Sequence, residues 1–335
     1  MLNTTLSDYN EFDNQRMKAQ LSPTPSFDTQ RLAVSHGHHI WLEQTGNPQG
    51  IPVLYLHGGP GAGLGLNYCW PFDLDIYRVI GFDQRGCGRS TPFGDTKHNT
   101  TDMILDDIQT IRQHLGIEKW ILFGGSWGST LALLSAIQHP ESVSHMVLRG
   151  VFLARQQDFD WFLTAQGGAA QIYPEAYELF TRYINDTSTT QAICNEFSAL
   201  FQSQDEQAFM ALADWYNWEG FISRFITPEC LASDLSPDHQ VKSLAMLECH
   251  YLSNACFLPE NYILDNSHKI AHLPCQIVHG RYDMVCKLEA AYSLQQHLPK
   301  SELNIVNSAG HSMSESHIAE ALGDIMRTLS QRVGY

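Results

Sequence analysis

The stretch Trp120-Ile121-Leu122-Phe123-Gly124-Gly125-Ser126-Trp127-Gly128-Ser129-Thr130-Leu131-Ala132-Leu133-Leu134 limits what this chain can fold into more than any other. Its first residues are apolar, β-branched or aromatic, as a buried parallel strand requires. Its last residues place small and apolar side chains at helical spacing. Between them, Gly124 to Gly128 fits G-x-S-x-G, which in a strand-to-helix turn makes an elbow that presents a nucleophilic serine. A positive φ at the serine and close backbone approach on both sides favour glycine at Gly124 and Gly128. Ser126 is then expected to project into a cleft, with the N-terminus of the next helix beneath it to stabilise developing negative charge. The competing reading is a glycine-rich turn with a chance serine; the flanking strand and helix patterns weigh against it.

The surrounding chain supplies the sheet such an elbow needs. Arg31 to Val34 and His39 to Glu43 read as strands joined by a turn at Gly37, followed by strands at Pro52 to Leu56 and Tyr77 to Phe82. A helix is expected from Thr101 to Leu115, and a further strand from Val143 to Leu148. From about Val151 to Ser267 the pattern is helical and rich in aromatic residues. Sheet rhythm resumes at Cys275 to Gly280 and Leu303 to Val306. The pattern predicts an α/β fold, a mostly parallel doubly wound sheet with an inserted helical cap. Its divisions are a lead-in at 1–26, a core at 27–150 and 268–335, and the cap at 151–267.

Composition narrows the functions open to it. Twenty Lys and Arg against 36 acidic residues leave a formal charge of −16, which argues against nucleic acid or an anionic membrane as partner. The longest apolar runs fall far short of the ~18 residues of a membrane span. Residues 1–20 hold no apolar signal-like segment, and eight scattered cysteines form neither a disulfide framework nor a metal-ligand spacing. A reduced, cytoplasmic setting with no metal or organic cofactor is the expectation. Oligomeric state is left open.

A serine is a weak nucleophile until a base removes its proton, and the base needs an orienting acid. In an elbow sheet these partners follow in the order Ser, Asp or Glu, His, at the ends of later strands. The strand ending at Gly280 runs into Arg281-Tyr282-Asp283, and the strand ending at Val306 runs through Gly310 to His311. Ser126, Asp283 and His311 are therefore the expected triad. The oxyanion hole is expected from the backbone N–H of Trp127 and of Gly59 in His57-Gly58-Gly59-Pro60-Gly61. That run lacks the Gly-Lys-Ser/Thr ending of a phosphate loop.

With His57 to Gly61, Asp83-Gln84-Arg85-Gly86-Cys87-Gly88-Arg89-Ser90, Gly124 to Ser129, Gly280 to Asp283 and Gly310-His311-Ser312 in place, the chain resembles the prolyl iminopeptidase family of α/β-hydrolase serine peptidases. The resemblance runs from about Phe27 to the C-terminus. It departs from the family at Ala62, usually Gly, at Lys287, usually Pro, and in a longer lead-in.

Two glutamates of the cap stand out on physical grounds. Helical spacing puts Glu219 on one face with Trp215, Trp218 and Ile222, and Glu248 on one face with Val241, Leu244, Ala245 and Leu252. A carboxylate in an apolar stripe must be partnered, neutralised by a raised pKa, or open to a ligand. The resemblance implies that Glu219 and Glu248 hold the free N-terminal amine of a peptide, and that Phe152 and Tyr251 are candidates for a proline-ring pocket; both also fit core packing. The expected activity is release of N-terminal proline from peptides through an acyl-enzyme. A broad esterase or amidase on the same fold is the alternative, and a non-catalytic binding protein a more remote one.

Overall fold

A computed structural model describes residues 25–66, 68–203, 206–225 and 239–332. Most of the expected lead-in, 1–24, lies outside these residues. Eight strands form one sheet: β1 (Asp28–Ala33), β2 (His39–Gly46), β3 (Ile51–Leu56), β4 (Tyr77–Asp83), β5 (Trp120–Ser126), β6 (Val143–Val151), β7 (Cys275–Gly280) and β8 (Ser301–Val306). Their order is β1-β2-β4-β3-β5-β6-β7-β8. β1 and β2 are antiparallel to their neighbours, and every pairing from β4 to β8 is parallel. The order reverses at β3, so the loops after β3 and β5 diverge and leave the crevice in which open α/β sheets bind ligands.

Alternation along the strands gives each sheet face its own core. Leu54 and Leu56 of β3, Ile80 and Phe82 of β4 and Leu122 of β5 face one side. Val53, Tyr77, Val79, Ile121 and Phe123 face the other. The first side is covered by α1 (Thr101–His114), α2 (Trp127–Gln138) and α10 (Leu288–His297). The second is covered by α11 (Ser316–Arg332) through Ile318, Leu322 and Met326. Ile104, Leu105, Ile108 and Ile111 of α1 form one buried stripe at helical spacing. α2 is buried along nearly its whole length, from Trp127 to Ile137.

Between β6 and β7 the described residues form helices only: α3 (Gln156–Leu163), α4 (Gly168–Ile172), α5 (Pro174–Thr181), α6 (Thr190–Gln202), α7 (Glu206–Ile222), α8 (His239–Ser253) and α9 (Tyr262–Asn266), with short 3-10 turns. Aromatic rings knit α5, α6 and α7 together. Phe180 stacks on Phe197 at 5.0 Å and on Trp218 at 5.4 Å, and Phe197 meets Trp215 edge-on at 5.0 Å. At the base of this segment, buried Arg155 grips both Asp158 oxygens at 2.9 Å and reaches Glu289 of α10 at 2.7 Å. Lys287, the departure beside Cys286, joins the same network, 3.1 Å from Glu289.

α8 ends at Ser253, although the helical pattern that opens at Val241 continues to about Phe257. Ala255, Cys256 and Phe257 carry φ of 48°, 51° and 55°, and Thr101 Oγ1 donates to the Cys256 carbonyl at 2.5 Å. A contact 155 residues away in sequence thus overrides a continuing helical pattern.

One buried ion pair anchors the loop after β4. Arg85 meets Asp107 of α1 through two bonds, 2.6 and 2.8 Å, and its remaining donors reach the Ser35 carbonyl and hydroxyl and the His98 carbonyl. Removing the guanidinium leaves Asp107 buried without its counter-charge. Arg85→Met is expected to destabilise the protein by about 3–5 kcal/mol, read as a lowered urea midpoint. A change below about 1 kcal/mol would show the pair to be dispensable.

Candidate active site

Every residue of β5 is buried, and the strand ends on Ser126 at φ 56°, ψ −127°. Glycine is required on both sides of it. A Cβ at Gly124 would stand 2.1 Å from the Gly128 carbonyl oxygen, and one at Gly128 would stand 2.0 Å from that of Leu56. Strand, turn and helix therefore meet backbone to backbone, and no larger residue fits. Ser129 Oγ donates to the Ser126 carbonyl at 2.6 Å and accepts from the Phe152 N–H at 3.0 Å, fastening the elbow to the end of β6.

Asp283 and His311 arrive from the loops after β7 and β8. His311 Nδ1 donates to Asp283 Oδ2 at 2.7 Å. The other oxygen, Oδ1, accepts the N–H groups of Val285 at 3.0 Å and Cys286 at 2.7 Å. His279 lies 3.4 Å from Oδ2. Burial by itself raises the Asp283 pKa, but the charges and donors of His311 and His279 and the Cys286 N–H outweigh it, and the carboxyl sits below its ordinary value. Burial lowers the His311 pKa, helped by the Arg149 charge and opposed by Asp283, so the imidazole is held neutral. Gly150 makes room for this ring: a Cβ there would come within 2.8 Å of it.

His311 Nε2 accepts a hydrogen bond from Arg149 Nη1 at 2.9 Å, and Arg149 Nη1 also donates to the His311 carbonyl at 3.0 Å. The polar neighbour of Ser126 Oγ is Cys286 Sγ at 3.9 Å. No hydrogen bond joins Ser126 Oγ to His311, whose Nε2 lone pair is held by Arg149. Such looseness between catalytic groups is common before substrate binds. Arg149 lies across Gly125, where a Cβ would come within 2.4 Å of the guanidinium.

Gln84 joins the two expected oxyanion donors' segments. Its Nε2 donates to the His57 carbonyl at 3.0 Å, its backbone N–H donates to His57 Nε2 at 3.1 Å, and its Oε1 accepts the Trp127 indole N–H at 3.0 Å. Gly59 and Ser126 border a small cavity of about 20 Å³, with room for about one water molecule. Phe152, Phe159, Phe162 and Glu248 are among its walls. A larger open groove, 1270 Å³, runs along the other side of α3 past Trp161 and Asn185; neither Ser126, Asp283 nor His311 borders it.

The two helical stripes converge, bringing together the glutamates that the resemblance pairs. Glu248 is 3% exposed and accepts the Trp215 indole N–H at 2.5 Å. Glu219 of α7 is hydrogen-bonded to Glu248 of α8, so the two carboxyls share a proton. Burial pushes Glu219 up to about 7, with the Arg149 charge and the bond to Glu248 pulling the other way. Burial and the neighbouring Glu219 charge hold Glu248 well above the usual carboxylate range. Phe152 lines the cavity, but Tyr251 does not. Tyr251 packs behind the site, its ring edge-on to Trp127 at 5.1 Å and its hydroxyl donating to Asn99 Oδ1 at 2.8 Å. Burial against Trp127 and a satisfied hydroxyl account for it as core packing.

Arg149, Gln84 and Asp158, which also borders the cavity, carry no role in the sequence reading. Arg149 left a signal, a charge in the apolar strand Met146-Val147-Leu148-Arg149, opposite Gly125.

A family model described as alpha/beta hydrolase fold matches residues 51–318. A probable proline iminopeptidase of Leptolyngbya boryana is 42% identical over 294 residues, 88% of this chain and 91% of that protein. The proline iminopeptidase of Neisseria gonorrhoeae is 40% identical over 308 residues, 92% of this chain and 97% of that one. The crystal structure of a proline iminopeptidase from Mycobacterium smegmatis superposes with a TM-score of 0.59 at 19% identity, over 91% of this chain and 98% of that one, a likeness of fold. Among the described residues no helix is long and apolar enough to cross a membrane.

The carboxyl pair makes stability depend on pH in an unusual direction. Glu219 titrates near 7 folded and near 4.5 in an ordinary setting, so the folded state binds more protons between those values. Its contribution is fully present below pH 4.5 and is lost as pH rises through 7. The loss is on the order of 3 kcal/mol. Urea midpoints from pH 5 to 8 should fall more steeply for the wild-type protein than for Glu219→Gln; parallel profiles would show the pair to be ionised throughout.

Proposed function

The chain belongs to the proline iminopeptidase family of α/β hydrolases, and on that premise we propose that it is a serine aminopeptidase that releases N-terminal proline from peptides. The observation that carries this reading is the Glu219–Glu248 pair, whose buried member Glu248 lines the cavity bordered by Ser126. Two acidic groups whose charge is suppressed by burial are a poor feature for neutral acyl substrates and a good one for a cation. The ring ammonium of an N-terminal proline supplies that cation, and the apolar Phe152, Phe159 and Phe162 suit its ring.

In the mechanism we propose, the ammonium takes the place of the shared proton of the carboxyl pair, which passes to solvent water, and places the first carbonyl at Ser126. Arg149 releases His311 Nε2, which takes the Ser126 proton as Oγ bonds to the carbonyl carbon. Asp283 holds the imidazole and its developing positive charge. The carbonyl oxygen becomes an oxyanion held by the N–H groups of Trp127 and Gly59, which Gln84 keeps in register. His311 passes the proton to the leaving peptide nitrogen as the C–N bond breaks. Water, deprotonated by His311, then attacks the acyl-enzyme; the Ser126 ester bond breaks, and the proton returns to Oγ. The helices of 151–267 act as the cap that closes off the N-terminal side and makes the cleavage exopeptidic. A cytoplasmic setting fits the unpaired buried cysteines.

The direct test compares a proline arylamide with its N-acylated form and with a neutral ester. Preference for the free amine is expected, and equal turnover of all three would favour the esterase reading. Ser126→Ala should remove turnover by several orders of magnitude, and a serine-directed organophosphonate should label Ser126. Asp283→Asn should lower kcat steeply with little change in KM, because His311 loses its orientation. Labelling at another serine, or an Asp283→Asn variant altered in KM alone, would reassign these residues.

Glu219→Gln and Glu248→Gln test the amine site. Losing one member of a desolvated charge pair costs about 2–5 kcal/mol, against under about 1 kcal/mol at an exposed site. Each variant should therefore lose about tenfold or more in kcat/KM on proline arylamide relative to its loss on the ester. Equal losses on the two substrates would mean that the pair only holds the helices together.

A further inference from the structure

The end of α7 and the loop that carries His311 are joined along a single seam. The Ser223 carbonyl, one turn after Glu219, accepts the N–H groups of both His311 and Ser312 at 2.8 Å each. Ser223 in turn donates its own N–H to the Glu219 carbonyl at 3.0 Å. Across the same seam the Glu315 carboxylate spans two chain segments. Oε1 accepts the Phe225 N–H at 2.6 Å and Oε2 accepts the Gly310 N–H at 2.8 Å. The fit is close: a Cβ on Gly310 would stand 2.9 Å from the Phe225 nitrogen and 3.0 Å from the Ser223 carbonyl oxygen.

Glu315 immediately precedes α11, where a carboxylate commonly caps its own helix. This one turns away from that helix, and both N–H groups it accepts belong elsewhere. One lies next to the expected base and the other just past the helix that carries Glu219. A carboxylate accepting two backbone N–H groups forms stronger bonds than a neutral acceptor and fixes both segments at once.

We propose that Glu315 is a positioning residue for substrate selection: by clamping the end of α7 to Gly310, it sets the distance between the amine-holding carboxyls and the His311–Ser126 pair. The inference rests on the aminopeptidase reading of Glu219 and Glu248. The ammonium and the scissile carbonyl of an N-terminal residue are held apart by a single Cα. The two halves of the site must therefore stand at one fixed separation. A substrate anchored through its amine is sensitive to that separation, whereas an ester without an amine docks on the Ser126 side alone. An error of about 1 Å in such a placement costs up to about a hundredfold in rate.

The test uses the full chain, with rates normalised to sites titrated by organophosphonate so that only folded, competent protein is counted. Glu315→Gln keeps one acceptor oxygen and turns an NH₂ toward the second N–H. It is expected to lower the ratio of proline arylamide to neutral-ester kcat/KM by about tenfold, through kcat rather than KM. Gly310→Ala pries the same seam from the other side without touching the carboxylate, and should lower the ratio likewise. In a Glu219→Gln background, Glu315→Gln should add little further fall in the ratio, because the anchor it positions is already gone.

A ratio unchanged in both single variants, or losses equal on the two substrates, would reduce Glu315 to a brace. A full, independent loss in the Glu219→Gln background would overturn the proposal as well. A wild-type protein without preference for the free amine would sink the aminopeptidase reading itself, a result distinguishable from either.

Discussion

Ser126 holds a backbone conformation that an L-residue adopts only under compulsion, and the compulsion comes from contact between main chains. Gly128 lies against the Leu56 carbonyl and Gly124 against the Gly128 carbonyl, so β3, β5 and α2 approach as closely as backbone allows. These contacts fall where the strand order reverses. The sheet is thus a rigid gauge against which other loops are set. β7 delivers Asp283, β8 delivers His311, and the helices after β6 bring the carboxyl pair from above. None of those loops is held by local structure alone. Asp283 is fixed by the Val285 and Cys286 N–H groups of its own loop and by His311 from the next, and His311 also by Ser223 of a different segment.

Three carboxyls around this gauge, Asp283 and Glu248 buried and Glu219 partly so, show how environment separates chemically similar groups. Asp283 is surrounded by donors and stays below its ordinary pKa. Glu219 and Glu248 have one indole donor and each other, and burial drives both upward. In the proposed mechanism one carboxyl is kept charged to steady an imidazolium, and the pair is kept short of charge until a cation arrives. Arg149 stands between the two settings, donating to His311 and acting electrostatically on Glu219.

The parts of this protein legible in its sequence are those with a local period or a fixed local order. The alternating and continuous apolar runs marked the strands, and the helical stripes singled out Glu219 and Glu248, each on its own helix. The G-x-S-x-G turn and the strand-end positions of Asp283 and His311 needed no knowledge of neighbours. What could not be read depends on groups far apart in the chain. The end of α8 is set by Thr101 reaching Cys256, and Gln84 matters because it touches both His57 and Trp127. Glu315 is one of many acidic side chains near a helix start until Phe225 and Gly310 are seen beside it. Tyr251 carries the right chemistry for a ring pocket, but the Trp127 ring occupies the space between its helix and the elbow.

The carboxyl pair also bears on how the site empties. On the proposed reading of Glu219 and Glu248, free proline keeps the ring ammonium by which the peptide is recognised, so cutting the bond does not weaken their grip. Hydrolysis of the acyl-enzyme, however, creates a new carboxylate one Cα from that ammonium. It stands in a site that already holds Asp283 and two acidic groups, and repulsion among like charges in a dry cavity is strong. On the proposed reading, the last chemical step helps to expel its own product.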